Sequence, residues 1–406
     1  MPKASATSVS NTLIMQQTPQ SERLHIAFFG RCNSGKSSLI NALTGQNIAV
    51  VSDVSGTTTD PVSKSIELPG LGACVLIDTP GYDDTSILGE QRIAHTIKVV
   101  DKTDIAILLF TEQWGDDEHR WIAEFRAREI PVIAILSQGD RLVDADALVH
   151  AVEKDTKLTP IVVSSVNGYG LPALREALAA AGMREERTIL QGLVNEGDTV
   201  LLVMPQDASA PKGRLIQPQV QTIRELLDRR CTVVSCVTEG MSAALASLAR
   251  PPHLIITDSQ VFDAVYKLKP EASRLTSFSV LFARYKGDIS TFVAGAKMLS
   301  QLTENSRVLI AEACTHVPQN EDIGRVKLPA MLRRKFGAGL HIDIVSGHEF
   351  PQDLTGYDLV IHCGACMFNS RHVLNRIARA RIQDVPITNY GITIAALTGI
   401  LDKIEY

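Results

Sequence analysis

One stretch limits the possible folds more than any other. Leu24-His25-Ile26-Ala27-Phe28-Phe29 is an apolar run of strand character, it passes directly into Gly30-Arg31-Cys32-Asn33-Ser34-Gly35-Lys36-Ser37, and Ser38-Leu39-Ile40-Asn41-Ala42-Leu43 then takes helical spacing. A strand that delivers a glycine-bearing loop to a helix N-terminus makes a phosphate cradle. The glycines let backbone N–H groups wrap the anion, and the helix end turns positive partial charge toward it. Lys36 is placed to reach the β- and γ-phosphates and the Ser37 hydroxyl to ligate Mg²⁺, with Gly30, Asn33, Ser34, Gly35 and Ser38 completing the cradle. The same strand-loop-helix order commits the region to a parallel α/β sheet, since parallel strands need crossover helices.

Farther on, Val75-Leu76-Ile77 leads into Asp78-Thr79-Pro80-Gly81, an acid at a strand end that can hold Mg²⁺ through water and a glycine whose N–H can sense a γ-phosphate. Between the two motifs lies Gly56-Thr57-Thr58-Thr59-Asp60. Together these resemble the translation-factor-type GTPases, nearest the subgroup with the tRNA-modifying GTPase TrmE and the GTPase Era. The resemblance implies GTP/GDP binding, Thr58 as the switch threonine on Mg²⁺ with Thr57 as its alternative, and Asn33 helping to hold K⁺ beside the phosphates. Tyr82 stands where Ras-like proteins carry the water-orienting glutamine, so the implied activity is slow, K⁺-stimulated GTP hydrolysis with Lys36, Thr58, Asp78 and Gly81 as its catalytic set. The base-reading loop departs from that pattern: Ser137-Gln138-Gly139-Asp140 replaces Asn-Lys-x-Asp. Asp140 still accepts both guanine N–H groups, Ser164-Ser165 stands at the second base-contacting position, and loss of the Asn contact and the Lys stacking predicts a weakened guanine preference. Cys32 and Cys74 read as incidental small residues.

The chain has 406 residues, enough for two or three domains with their own cores. With a net charge of -5 it lacks the basic field that draws nucleic acid or anionic membrane, so neither is expected as a partner. Seven cysteines are an odd and sparse set for a disulfide framework, which predicts a reducing compartment, the cytoplasm. Residues 1–22 are expected to be a disordered tail: the first twenty are rich in Ser, Thr and Gln, with an apolar run too short for a signal peptide. No stretch reaches the eighteen apolar residues of a membrane span.

After a phosphate-binding domain over 23–183, a new α/β alternation runs over 190–272: strands at 198–205, 231–238 and 254–258 with helices at 218–230 and 241–250. It is small, carries no catalytic pattern, and Cys231 and Cys236 fall on opposite faces of one strand, so the expectation is a dimerisation domain completed by a second copy. From 273 to 406 the alternation restarts with a strand at 278–282 and a helix at 289–302, and ends with a helix at 392–401. The predicted fold class is therefore three consecutive α/β domains with mainly parallel sheets. In the last, the apolar run at 307–313 ends in Cys314-Thr315-His316, and that at 358–361 ends in His362-Cys363-Gly364-Ala365-Cys366. Both clusters lie at carboxyl ends of strands, the ligand-binding edge of open α/β sheets, and they meet if those strands are neighbours. Thiolate and imidazole ligands suit an iron-sulfur cluster or zinc, and ligand type leaves both open. Arg333-Arg334-Lys335 reads as a solvated helix face.

The potassium-type GTPase domain, the segments Gly197-Asp198-Thr199-Val200-Leu201-Leu202, Ala210-Pro211-Lys212-Gly213-Arg214-Leu215 and Pro218-Gln219-Val220-Gln221-Thr222, and the Cys-x-His and His-Cys-x-x-Cys clusters resemble the HydF family of [FeFe]-hydrogenase maturation GTPases over 23–406. That resemblance implies a [4Fe-4S] cluster on Cys314, Cys363 and Cys366, with His316 or His362 at an exchangeable fourth position. It also implies a scaffold that receives a diiron precursor from the radical-SAM maturases HydE and HydG and passes it to apo-hydrogenase. The alternative is a zinc-stabilised regulatory GTPase of the TrmE/Era type acting in RNA modification or ribosome assembly, because three Cys and one His are also a structural zinc set.

Overall fold

The computed structural model describes residues 18–46, 61–83, 89–183, 187–206, 213, 215–313, 323–347 and 349–406. Thr57, Thr58, Cys314 and His316 lie outside the described residues, as does most of the expected tail. The chain divides into two compact units, 1–185 and 186–406.

The first unit is built on strands β1 (Leu24–Gly30), β2 (Val62–Leu68), β3 (Gly72–Asp78), β4 (Ile105–Phe110), β5 (Val132–Leu136) and β6 (Ile161–Val162) in the order β2-β3-β1-β4-β5-β6. Only the β2–β3 pair is antiparallel. β1 shows why the sequence reads as it does. Ile26 and Phe28 pack with Leu39, Ile40 and Leu43 on one face, while Ala27 and Phe29 pack with Trp121 and Phe125 on the other. A strand covered on both faces is apolar at every position, so its sequence lacks alternation.

The second unit carries two four-stranded parallel sheets. Strands β7 (Thr199–Val203), β8 (Thr232–Cys236), β9 (Leu254–Thr257) and β10 (Arg274–Ser277) follow the order β10-β9-β7-β8. Strands β11 (Arg307–Ala311), β12 (His341–Val345), β13 (Leu359–His362) and β14 (Ile387–Asn389) follow the order β12-β11-β13-β14. Cys231 and Cys236 belong to different core clusters, on opposite faces of the first of these sheets.

Two particulars differ from the sequence expectations. Phe278–Lys286 is a helix, not the opening strand of the last sheet, and the strand at that point is β10, beyond the expected boundary at 272, paired with β9. Ser277 caps the helix, its hydroxyl accepting from Val280 N–H at 3.2 Å. The apolar run reads as a strand because the helix is buried nearly all round through Phe278, Val280, Leu281, Phe282 and Ala283, leaving no helical period in the sequence. The last two sheets also share one core cluster, in which Leu201, Val203, Ile255 and Leu275 pack with Val308, Ile310, Val360 and Ile361. Sheets of four short strands gain more apolar burial by packing together than apart.

Candidate functional site

The nucleotide cradle begins where β1 ends. Gly35 has φ +91°, which only glycine takes without strain, and the loop turns there into the helix Lys36–Thr44. Lys36 is buried, and its ammonium donates to Gly30 O at 3.0 Å and Arg31 O at 2.7 Å, which folds the side chain back over the loop. Burial lowers its pKa. Ser37 Oγ donates to Asp78 Oδ2 at 2.5 Å, so the two expected Mg²⁺-binding groups are adjacent. Asp78 Oδ1 is buried with no hydrogen-bond partner among the described residues, and burial raises the carboxyl pKa. An orphaned carboxylate oxygen beside a serine hydroxyl fits a hydrated Mg²⁺ as its missing partner.

Gly81 abuts the cradle: a Cβ there would lie 2.4 Å from Cys32 Sγ and 2.6 Å from Cys32 N. Tyr82, at the position of the Ras-like glutamine, turns its hydroxyl away into the protein and donates to Glu118 Oε1 at 2.7 Å. Glu118 is fully buried. Its Oε1 also accepts from Arg31 Nε at 2.8 Å, and its Oε2 accepts from Arg31 Nη2 at 3.2 Å and from Gly115 N–H at 2.9 Å. One carboxylate thus ties the cradle, the residue after Gly81 and the N-terminus of the helix Asp116–Ala127. Nothing in the sequence singled it out, because Asp116-Asp117-Glu118 reads as an ordinary acidic first turn.

The base loop is held more firmly than its divergent sequence suggests. Ser137 Oγ donates to Ser34 O at 2.6 Å and lies 3.1 Å from Phe110 O, while Gln138 Nε2 donates to Asn33 O at 3.0 Å. Both residues at the divergent positions therefore tie this loop to the phosphate cradle. Asp140 Oδ1 accepts from Ser164 Oγ at 2.6 Å, a bond that lowers the Asp140 pKa and favours the ionised carboxylate; Ser165, the next residue, is half-buried.

The second site lies at the carboxyl edge of the last sheet. β11 and β13 are neighbours, with Ala311 opposite His362, while Cys314 and His316 of the first cluster lie outside the described residues. Ala313, the last described residue before Cys314, donates its N–H to Cys363 Sγ at 2.9 Å, and Ala365 N–H reaches the same sulfur at 3.4 Å. Ala365 takes φ +49°, an uncommon region for alanine that aims its N–H at the sulfur. A sulfur accepting two backbone donors just before the helix Ser370–Ile382 fits a thiolate ligand of an iron-sulfur cluster or of zinc. Among the described residues no group of three metal-binding side chains is assembled.

His362 is enclosed. Arg376 Nη1 donates to its Nε2 at 3.0 Å, so its proton sits on Nδ1, which donates to Cys363 O at 2.6 Å. Burial, with Arg376 beside it, pushes its pKa down to about 3. Both ring nitrogens are engaged, so the imidazole orients the backbone of Cys363, and metal ligation would require breaking one of these bonds. Lys286 is a participant that sequence reading passed over. It is 1% exposed, and its ammonium donates to Ala365 O at 3.2 Å, Cys366 O at 3.4 Å and Phe368 O at 2.9 Å. Its one sequence signal is a lysine closing an otherwise apolar helix.

A P-loop GTPase followed by two α/β modules, the last carrying a cysteine loop at the carboxyl edge of its sheet, is the class of protein that this fold and these sites define. The sequence model of the 50S ribosome-binding GTPase family matches 25–138, that of the hydrogen maturase F dimerization domain matches 189–287, and that of the hydrogen maturase F tetramerization domain matches 290–405. The chain belongs to the hydrogen maturase F (HydF) family, the GTPases of hydrogenase maturation, and carries that family's oligomerization domains. Its first unit is similar to tRNA modification GTPase MnmE of Nitrosomonas europaea, 35% identical over 159 residues, which is 39% of this chain and 34% of that protein. MnmE of Acinetobacter baumannii strain ATCC 17978 is 31% identical over 167 residues, 41% of this chain and 36% of that protein. The chain thus spans about a third of the length of these curated relatives. Among solved structures, Era in complex with MgGDPNP and a segment of 16S ribosomal RNA is 18% identical with TM-score 0.37, covering 52% of this chain and 92% of that one, a likeness too distant to bear on function. No helix among the described residues is long and apolar enough to cross a membrane.

Proposed function

We propose that this GTPase is the scaffold on which a diiron precursor of the [FeFe]-hydrogenase active site is held and from which it passes to apo-hydrogenase. A [4Fe-4S] cluster on Cys314, Cys363 and Cys366 would supply an iron with an exchangeable coordination site. The observation that carries this reading is the pair of backbone N–H groups on Cys363 Sγ, one of them from the residue immediately before Cys314. The residues around it act on that sulfur and its loop. Ala313 and Ala365 stabilise the thiolate, His362 and Asn389 fix Cys363 O, and Lys286 gathers the carbonyls that follow. With both nitrogens of His362 engaged, His316 is the proposed occupant of the fourth position.

In the GTPase unit Lys36 holds the β- and γ-phosphates, Ser37, Asp78 and Thr58 hold Mg²⁺, Asn33 holds K⁺, and Gly81 N–H senses the γ-phosphate. Tyr82 is committed to Glu118, so stimulation by K⁺ rather than a side chain is the proposed source of added charge. Nucleotide state then biases binding or release of partners, proposed as HydE, HydG and apo-hydrogenase, through the switch segments. The proposed setting is a reducing cytoplasm.

The test is anaerobic reconstitution with iron and sulfide, reduction, and low-temperature EPR of wild type beside Cys363→Ala. A fast-relaxing [4Fe-4S]⁺ signal that the variant loses is the expected result. A colourless protein with tightly bound zinc sinks the scaffold reading and leaves a zinc-stabilised regulatory GTPase. Lys36→Ala should abolish GTP hydrolysis and lower hydrogenase activation; undiminished activation would sink the coupling.

A further inference from the structure

The segment after Gly81 is tied to the phosphate cradle at two consecutive residues. Tyr82 donates to Glu118, which also holds Arg31, and Asp83 Oδ1 accepts the main-chain N–H of Cys32 at 2.6 Å. The second tie differs in kind from the first. It sets a half-buried carboxylate on a backbone donor of the loop that leads into the helix Lys36–Thr44, and a loop of that build holds phosphate oxygens. A carboxylate oxygen on such an N–H stands in for a phosphate oxygen in both position and charge. Asp83 also acts on Lys36. Burial lowers the pKa of that ammonium, and Asp78 and Asp83 are among the groups whose negative charge opposes the shift. Asp78 already serves Ser37 at 2.5 Å and fits Mg²⁺, whereas Asp83 faces the cradle as an additional negative charge.

Resting on the reading of Lys36 and Gly81 as contacts of the γ-phosphate, we infer that Asp83 is a specificity-determining residue that sets the balance between guanosine di- and triphosphate. Its carboxylate competes with the γ-phosphate for the positive field of Lys36 and repels the charge that a triphosphate adds. Asp83 lies two residues from Gly81, so this burden falls on the γ-phosphate more than on the phosphates that GDP also carries. Like charges at close range in a partly water-excluded site are weakly screened, which makes the discrimination large for a single side chain. The triphosphate therefore drives Asp83 off Cys32 N–H, and a change of nucleotide becomes a movement of the Tyr82-Asp83 turn through charge alone.

The experiment is isothermal titration calorimetry of the full-length protein with GDP and with guanosine 5′-(β,γ-imido)triphosphate, in excess Mg²⁺, beside Asp83→Asn, which keeps an oxygen acceptor for Cys32 N–H and removes the charge. The variant should bind the triphosphate analogue about tenfold tighter than wild type does, with GDP affinity changed less than about twofold. An unchanged ratio of the two affinities overturns the inference. So does weaker binding of the analogue, which would make Asp83 a support of the triphosphate site, and so does equal tightening of both nucleotides, which would place its effect away from the γ-phosphate. If Asp83→Asn does not fold by circular dichroism, Asp83→Ser, which is smaller and uncharged, takes its place under the same criteria; unfolding of both shows a purely structural aspartate and overturns the inference. Lys36→Ala that binds the analogue as tightly as wild type overturns the reading of the cradle itself, and the inference with it, an outcome read without the Asp83 variants.

Discussion

Tyr82→Phe tests whether Glu118 is the tie that joins the phosphate cradle to the segment after Gly81. The phenol is 8% exposed and donates to a fully buried carboxylate at 2.7 Å; burial raises the phenol pKa, so it stays a donor throughout the accessible pH range. A hydrogen bond to a charged group contributes about 1.5–3 kcal/mol. The lower end applies here, because Glu118 keeps three other donors, two from Arg31 and one from Gly115. Phenylalanine fills the same space against Trp121, whose ring centroid lies 5.8 Å away, so no cavity penalty is added. The expected loss is about 1.5–2 kcal/mol, or roughly 3–8 °C in Tm for a unit of this size. Both tryptophans of the chain, Trp114 and Trp121, lie in the first unit, so urea unfolding followed by tryptophan fluorescence reports on that unit alone. GTP turnover should change less than about twofold, since the hydroxyl faces Glu118 and not the phosphates. A Phe variant within about 0.5 kcal/mol of wild type, at unchanged m value, would refute the reasoning. Glu118→Gln should cost more, about 3 kcal/mol, because it removes the charge that Arg31 is paired with.

Gly295→Ala should destabilise the second unit by about 2 kcal/mol or more, since the new Cβ would lie 2.0 Å from Ile387 O on β14; a far-UV circular dichroism melt unchanged from wild type would contradict this. Ser137→Ala removes the hydroxyl that ties the base loop to Ser34 O, and should weaken GTP binding about tenfold and narrow the GTP-to-ATP affinity ratio; an unaltered ratio in equilibrium dialysis counts against it. His119 is hydrogen-bonded to Asp155, which raises its pKa. Its contribution to stability is therefore complete below the unfolded histidine pKa of about 6.5 and lost as pH rises through the higher folded value. Urea midpoints from tryptophan fluorescence should fall over that window in wild type and lose that component of the slope in His119→Gln.

The sequence alone determined the three-sheet α/β class and the cradle from Gly30 to Ser38, because backbone geometry around phosphate demands glycine, lysine and serine at fixed spacing. It also placed Cys363 and Cys366 just after a strand, because a cluster of soft ligands after an apolar run is a local pattern. Tertiary structure decided what distant residues do to one another. Glu118 serves Arg31 and Tyr82 across 87 and 36 positions of chain, and Lys286 reaches carbonyls about eighty residues away. Ser137 and Gln138 replaced the expected loop chemistry by bonding to Ser34 and Asn33, a substitution visible only once β1 and β5 were folded onto the same sheet edge. The run at 278–282 reads as a strand in the sequence and folds as a helix for a related reason: a segment buried on nearly every side carries no period, and its helical form is fixed by Ser277 and by the sheets around it. Local backbone demands are written in local sequence, whereas the partner of a buried charge is set by whichever residues the fold brings within about 3 Å of it.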